Sequence, residues 1–299
     1  MQSTLSEALP SFVQLEKILK GYDRRGNFLG LFFTDAFMLS DFFLVRSFLK
    51  WKNTYVVKME EWMDIVSELD AAVSMADFRH NHPEATDAEI VDGSPVLFEA
   101  KNLYHPFLGA KAVKNDFTIR DDNYYIITGA NMAGKSTFLR SLGVNYILAM
   151  SGMPVFAGSL KVSRFQLFSS MRTTDDLTHG ISYFNAELLR LEQLMQFCKR
   201  GELRTLIILD EILKGTNSLD KLNGSRLFLE SISRMPVTGV IATHDLELSR
   251  MAESCPGRFH NYCFEIDLGT DVTYTYKIQP GVARNQNATF LLNKILERN

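Results

Sequence analysis

At 299 residues, 46% of them hydrophobic and 22% charged, the chain is long enough for one large domain or a medium one with a smaller companion, and apolar enough for a packed core. A net charge of −3 argues against a surface that grips nucleic acid by itself, because such surfaces are basic. The three cysteines, Cys198, Cys255 and Cys263, lack metal-like spacing and in their odd, sparse number suit a reducing cytoplasm, while residues 1–20 lack the charged start and apolar core of a secretion signal.

In chain order, the Phe-rich stretch 28–51 is interrupted by Asp35, Asp41 and Arg46. It falls short of the roughly 20 apolar residues of a membrane span and is expected to be buried helix. Trp62, Ile65, Val66, Leu69, Ala72, Val73 and Ala76 then recur at three- and four-residue steps, which is one apolar helix face. Residues 1–82 thus read as a helical region. The polar segment 83–95, with Pro83, Gly93 and Pro95, reads as a connector, and His80 and His82 beside it as solvated histidines.

From 96 to 299 the texture is α/β. "YYIITG" (124–129) reads as a buried strand, followed by a helix from Ser136 to about Met150. "TLIILDE" (205–211) is a second buried strand, 219–235 a helix with Asp220 as its N-cap, and "VTGVIATHD" (237–245) a third buried strand. Strands alternating with helices predict a parallel sheet with crossovers. The segments 262–268 and 272–278 read as an antiparallel hairpin, with a last helix near 287–297.

Chemistry concentrates at three strand ends. Gly129, Gly134, Lys135 and Ser136 fill a G-x-x-x-x-G-K-S pattern between a strand and a helix. Such a loop turns its backbone N–H groups toward phosphate, and the following helix adds its positive end. Gly129, Ala130, Asn131, Met132, Ala133, Gly134, Lys135, Ser136 and Thr137 are therefore the expected nucleotide-binding residues. Lys135 is to neutralise the β- and γ-phosphates, and the Ser136 hydroxyl to reach Mg²⁺. Asp210 is to hold the same ion, directly or through water, and Glu211 to orient or deprotonate the attacking water. His244 is placed to meet the γ-phosphate or that water.

These motifs carry a family resemblance. "TGANMAGKSTFLR" resembles the glycine loop of the MutS family of DNA mismatch-repair ATPases, usually TGPNMGGKST. "DDLTHGISYFNAEL" (175–188) is similar to that family's DDL-x-x-G-x-S-T-F-x-x-E stretch, "LDEILKGTNSLD" to DEIGRGTSTxD, and "ATHDLEL" to ATHYxEL. Upstream, "LYHPFL" resembles the R-HP turn before the nucleotide domain. The resemblance covers about residues 60–299. It implies a P-loop NTPase (ABC-like) with a mainly parallel sheet flanked by helices, preceded by a helical lever. It also implies hydrolysis of ATP with Mg²⁺ and a homodimer with composite ATP sites. In that dimer Ser182 and Glu187 face the other subunit's nucleotide, and Thr216, Asn217, Ser218 and Asp220 lie in a loop that crosses the interface. Tyr276, on the late hairpin, is the nearest match to the residue that stacks on the base.

The departures are Ala130 and Ala133 in the loop, Tyr183 after the signature Ser, Leu213-Lys214 for Gly-Arg, and "NSL" for "STY". The phosphate, Mg²⁺ and water positions remain filled. The one Phe-x-Glu triplet, Phe228-Leu229-Glu230, falls inside a helix, where it is expected to pack rather than to wedge into DNA. Duplex DNA would then be met through regions outside this chain, which is either part of a longer protein or a short divergent member. No membrane contact is expected. The alternative function is a scaffold switched by nucleotide with little turnover. A kinase would leave the 182–187 and 216–220 stretches without purpose, and no LSGGQ-like stretch of a transporter ATPase precedes Asp210.

Overall fold

The computed structural model describes residues 5–23, 39–93, 95–171, 183–200, 203–268 and 272–284. They fall in two units, Met1–Asn81 and His82–Asn299.

The first unit pairs helix α1 (Ala8–Asp23) with helix α2 (Ser40–Asn81). No Pro or Gly interrupts the 42 residues of α2, so nothing in its backbone forces a kink. Trp51 and Trp62 seal the pair: both are buried, Trp51 Nε1 donates to the Ser11 carbonyl at 2.8 Å, and Phe12 lies against Trp62 with ring centroids 5.9 Å apart. The expected burial of the rest is not found. Phe42 and Phe43 are more than half exposed, and so are Val66, Leu69 and Val73. Length accounts for this, since the 16 residues of α1 rise only ~24 Å along a partner helix of ~63 Å. The part of the Phe-rich stretch at 24–38 lies outside the described residues. Among the described residues no helix is long and apolar enough to cross a membrane.

In the second unit, six strands form one sheet in the order β10-β9-β4-β8-β7-β6. They are β4 (Tyr124–Gly129), β6 (Gln166–Ser170), β7 (Thr205–Asp210), β8 (Val237–Ala242), β9 (Phe259–Leu268) and β10 (Val272–Pro280). All neighbours run parallel except β10, which is antiparallel to β9. Three helices cover the two faces: α3 (Lys135–Met150), α4 (Tyr183–Arg200) and α5 (Ser218–Ile232). The alternation along the strands divides the core. Tyr125, Ile127, Ile208 and Val240 pack with Phe138, Leu139 and Leu142 of α3, whereas Tyr124, Ile126, Ile207, Leu209 and Ile241 pack with Leu194 of α4 and Leu229 and Ile232 of α5. Burial on both faces is why β4, β7 and β8 are continuous apolar runs. The hairpin tip at 269–271 and the helix expected near 287–297 lie outside the described residues.

A second sheet has the order β1-β5-β2-β3, from β1 (Glu89–Val91), β2 (Leu97–Leu103), β3 (Asn115–Arg120) and β5 (Ser159–Ser163). The segment expected to be a connector therefore contributes a strand, parallel to β5 with Glu89 opposite Lys161. Phe98, Phe117, Ile119, Leu160 and Val162 of this sheet join the core on the α3 side.

Candidate nucleotide-binding site

The loop between β4 and α3 is shaped by its glycines. Gly129 runs so close to β9 that a Cβ there would meet the Phe264 carbonyl oxygen at 2.8 Å. Gly134 caps α3 at φ 109°, in the left-handed region where a side chain is strained, and its Cα faces the Tyr276 ring. Ala130 and Ala133, the two departures from the MutS pattern, are buried, while Met132 is exposed at φ 65°. The first N–H groups of α3 have no helical acceptor and form the ready anion site of a helix start.

Lys135 opens α3 and is 6% exposed. Its Nζ donates to the carbonyls of Gly129 at 2.7 Å and Ala130 at 2.8 Å. Burial draws its pKa down to about 8, against the opposing charges of Asp210 and Glu211. His244, just past β8, places Nδ1 3.1 Å from the same Gly129 carbonyl. Burial and the neighbouring Lys135 hold its pKa below the ordinary value, so the ring is neutral near pH 7. A carbonyl only accepts, so Nδ1 carries the proton and Nε2 is left as an acceptor. The 3.3 Å approach of Nδ1 to Lys135 Nζ is then donor against donor and not a hydrogen bond.

Asp210 ends β7 opposite Ala242 of β8. Glu211 follows at φ 69°, its N–H donating to the Ala242 carbonyl at 2.9 Å. Burial works to raise the Glu211 carboxyl, but contact with the Lys221 ammonium, aided by the charge of Lys214, overrides it and holds the group below the usual range. The structure thus gathers Lys135, Asp210, Glu211 and His244 where three parallel strands end beside the start of α3.

A cavity of about 550 Å³ opens beside the loop, a volume suited to a small ligand. Ser136, Thr137, His244 and Tyr276 are among the residues that line it. Tyr276 sits at φ 53° in an irregular stretch of β10, its ring stacked on Tyr274 at 5.8 Å. Asn115 holds that stretch, donating to the Tyr276 carbonyl at 3.0 Å and accepting from the Ile278 N–H at 2.9 Å. The remaining wall, Leu103 to Asn115, was not foreseen from sequence and includes Tyr104, His105 and Val113. Its signal was the His-Pro turn, where the His105 ring accepts from the Phe107 N–H at 3.2 Å and fixes the bend.

Ser182 lies outside the described residues. Glu187, in α4, is 8% exposed and turned onto its own chain, accepting from the Gly215 N–H at 3.1 Å. Burial raises its carboxyl pKa. The buried face of α4 runs through Glu187, Leu194 and Cys198, and Leu188 is 42% exposed. Thr216 is partly covered, and Asn217, Ser218 and Asp220 are exposed. The N-cap of α5 is Asn217 and not Asp220: the Asn217 side chain accepts from the Asp220 N–H at 3.0 Å, and its amide donates back to the Asp220 carboxylate at 2.6 Å. Asp220 is therefore the third residue of the helix, where its charge favours the positive end. Phe228 and Leu229 pack into the core, as expected.

Residues 125–290, from β4 past β10, match the family model MutS domain V. The chain belongs to the MutS family. Among its relatives, the DNA mismatch repair protein MutS of Acetivibrio thermocellus is 31% identical over 233 residues, 74% of this chain and 26% of that protein. MutS of Staphylococcus carnosus is 30% identical over 239 residues, 77% of this chain and 27% of that protein. The DNA mismatch repair protein MSH2 of Zea mays is 30% identical over 258 residues, covering 77% of this chain and 26% of that protein. The chain thus spans about a quarter of the length of the curated MutS relatives it matches. Sequence reasoning missed Asn115 and Lys221, which lie outside the sequence motifs and meet partners that only the fold brings close. His105 lies in the His-Pro turn read from sequence, but its place in the cavity wall was not.

Proposed function

We propose that the chain is the ATP-binding and ATP-hydrolysing module of a MutS-like protein, a P-loop NTPase whose nucleotide state switches a dimeric DNA-processing assembly of the mismatch-repair or recombination-related kind. The observation that carries this reading is the convergence of Lys135, His244, Asp210 and Glu211 beside the free N–H groups of α3. ATP lies with its phosphates along Gly129–Thr137 and its base in the cavity against Tyr276. Lys135 exchanges its two loop carbonyls for phosphate oxygens. Glu211 takes a proton from water as the water oxygen bonds to the γ-phosphorus. The bond from that phosphorus to the β–γ bridging oxygen breaks, and ADP leaves. His244, neutral with Nε2 free to accept, is placed to orient the water.

The donor set suits Mg²⁺. Asp210 and Ser136 offer hard oxygen ligands, and the charge of Asp210 is felt at Lys135 one residue from Ser136. When bound, the ion neutralises charge on the β- and γ-phosphates.

The net charge of −3 supports a module that meets duplex DNA through other segments of the assembly. The free thiols of Cys198, Cys255 and Cys263 fit a reducing cytoplasm. The exposed 217–220 turn and the family's signature Ser182 support composite sites shared between two chains, with specific activity rising as protein concentration rises. The deciding test is substitution. Lys135→Ala is expected to abolish nucleotide binding, and Glu211→Gln to keep binding while slowing hydrolysis by ~10²–10⁴-fold. Wild-type turnover in Glu211→Gln would sink the reading.

A further inference from the structure

Glu211 has a fixed backbone, but its side chain leaves the end of β7 through three rotatable bonds. Its anchor is Lys221: the ammonium contacts Oε1, and the two side chains are only 18% and 17% exposed. Lys221 comes from the first turns of α5, a rigid origin. The Asn217 cap pins that helix start, and Ser225, Leu229 and Ile232 bury its underside. Exposed ion pairs fix little, since solvent and side-chain entropy compete with them. A largely covered pair delivered from a capped helix does fix a direction.

We propose that Lys221 is a positioning residue for hydrolysis: it holds one oxygen of Glu211 so that the other, Oε2, is presented to the attacking water. The proposal rests on Glu211 being the base. Lys221 itself neither gives nor takes a proton in the step and touches neither water nor phosphate. The interaction lies outside the sequence motifs, because Lys221 follows the last residue of the 209–220 stretch.

Steady-state ATP hydrolysis and equilibrium binding of a fluorescent N-methylanthraniloyl-ATP, both on the full chain, test it. Lys221→Met is expected to lower kcat on the order of 10-fold, the cost of a base misplaced by a fraction of an ångström, with KM and the analogue's Kd within about twofold of wild type. Lys221→Arg, which keeps a cation on a long stem, should recover most of the loss. In a Glu211→Gln background, Lys221→Met should cost nothing further. A merely structural ion pair would lower thermal stability without this split between kcat and Kd. If Lys221→Met does not fold, Lys221→Gln carries the same expectation. Turnover by the folded Met or Gln variant at or above the wild-type rate overturns the proposal, and so does an equal further loss in the Glu211→Gln background. If Glu211→Gln itself hydrolyses ATP normally, the base assignment falls and this proposal falls with it. If Glu211→Gln is slow while Lys221→Met is fully active, only the role of Lys221 falls.

Discussion

Replacing Lys135 by Met should abolish ATP binding and yet leave the fold as stable at pH 7, or more stable. Lys135 is 6% exposed, and burial draws its pKa from the ordinary 10.5 to about 8. The unfolded chain keeps this proton up to the ordinary lysine value, whereas the folded chain releases it near pH 8. Holding the ammonium in the fold therefore opposes folding. That cost is fully present below the folded pKa and disappears as pH climbs from it to the unfolded one. A gap of about 2.5 pKa units, from 10.5 to about 8, at ~1.4 kcal/mol each sets an upper bound of ~3.5 kcal/mol. The hydrogen bonds to the Gly129 and Ala130 carbonyls reduce it, since they favour the charged form. Met keeps the length of the stem. Gly129 O retains His244 Nδ1 as a donor, and Ala130 O retains the Ala133 N–H at 3.4 Å, so neither carbonyl is abandoned. The expected gain for Lys135→Met is ~1–3 kcal/mol at pH 7, shrinking by ~1 kcal/mol toward pH 9. Urea denaturation of both chains at several pH values measures it, with N-methylanthraniloyl-ATP titration alongside. A Met variant destabilised by more than ~1 kcal/mol at pH 7, or a gain that does not change with pH, refutes the picture of Lys135 as a cation held in the fold for its ligand.

Asn145 is fully buried and serves three backbone groups, donating to the Tyr104 and Ser141 carbonyls and accepting from the Phe156 N–H at 2.6 Å. Asn145→Ala should cost ~2–4 kcal/mol in urea denaturation, because the Phe156 N–H loses its acceptor in a dry site. Glu187→Ala should cost ~1–3 kcal/mol by leaving the Gly215 N–H without its acceptor, whereas Glu187→Gln, which keeps a carbonyl there, should cost little in the same assay. Tyr276→Ala should weaken nucleotide binding on the order of 10-fold through loss of a stacking surface, with thermal stability nearly unchanged since the ring is 42% exposed.

What was legible in the sequence was local. Tyr124 to Met150 announces strand, loop and helix through contiguous residues, and the apolar runs of β7 and β8 need only their own composition to be read as buried strands. Features decided by distant partners were not legible. Glu89–Val91 looks like polar linker because three residues carry no periodicity, and it becomes a strand only by pairing with residues some seventy positions away. On α4 the packing against the sheet buries Leu194 and leaves Leu188 42% exposed, a choice that residue type alone does not make. Asp220 and Asn217 are both good caps by residue type. The first turn of α5 begins one residue earlier than the apolar pattern suggests, which hands the cap to Asn217. Val66, Leu69 and Val73 form a regular stripe that no partner covers among the described residues, since periodicity records a face and not what lies against it.

Asn115 belongs to one sheet and Tyr276 to the other, so two hydrogen bonds from a single amide lock the far wall of the cavity to the near one. Tyr276 at φ 53° sits in a conformation that disfavours a residue with a Cβ by ~1 kcal/mol or more. That strain is met when the chain folds, not when ligand arrives. On the proposed function, a base entering the cavity would meet a wall already held in place by these two bonds. Association should accordingly be a single step whose observed rate rises linearly with nucleotide concentration and shows no plateau. Discrimination between bases would then be expressed in how fast each one leaves.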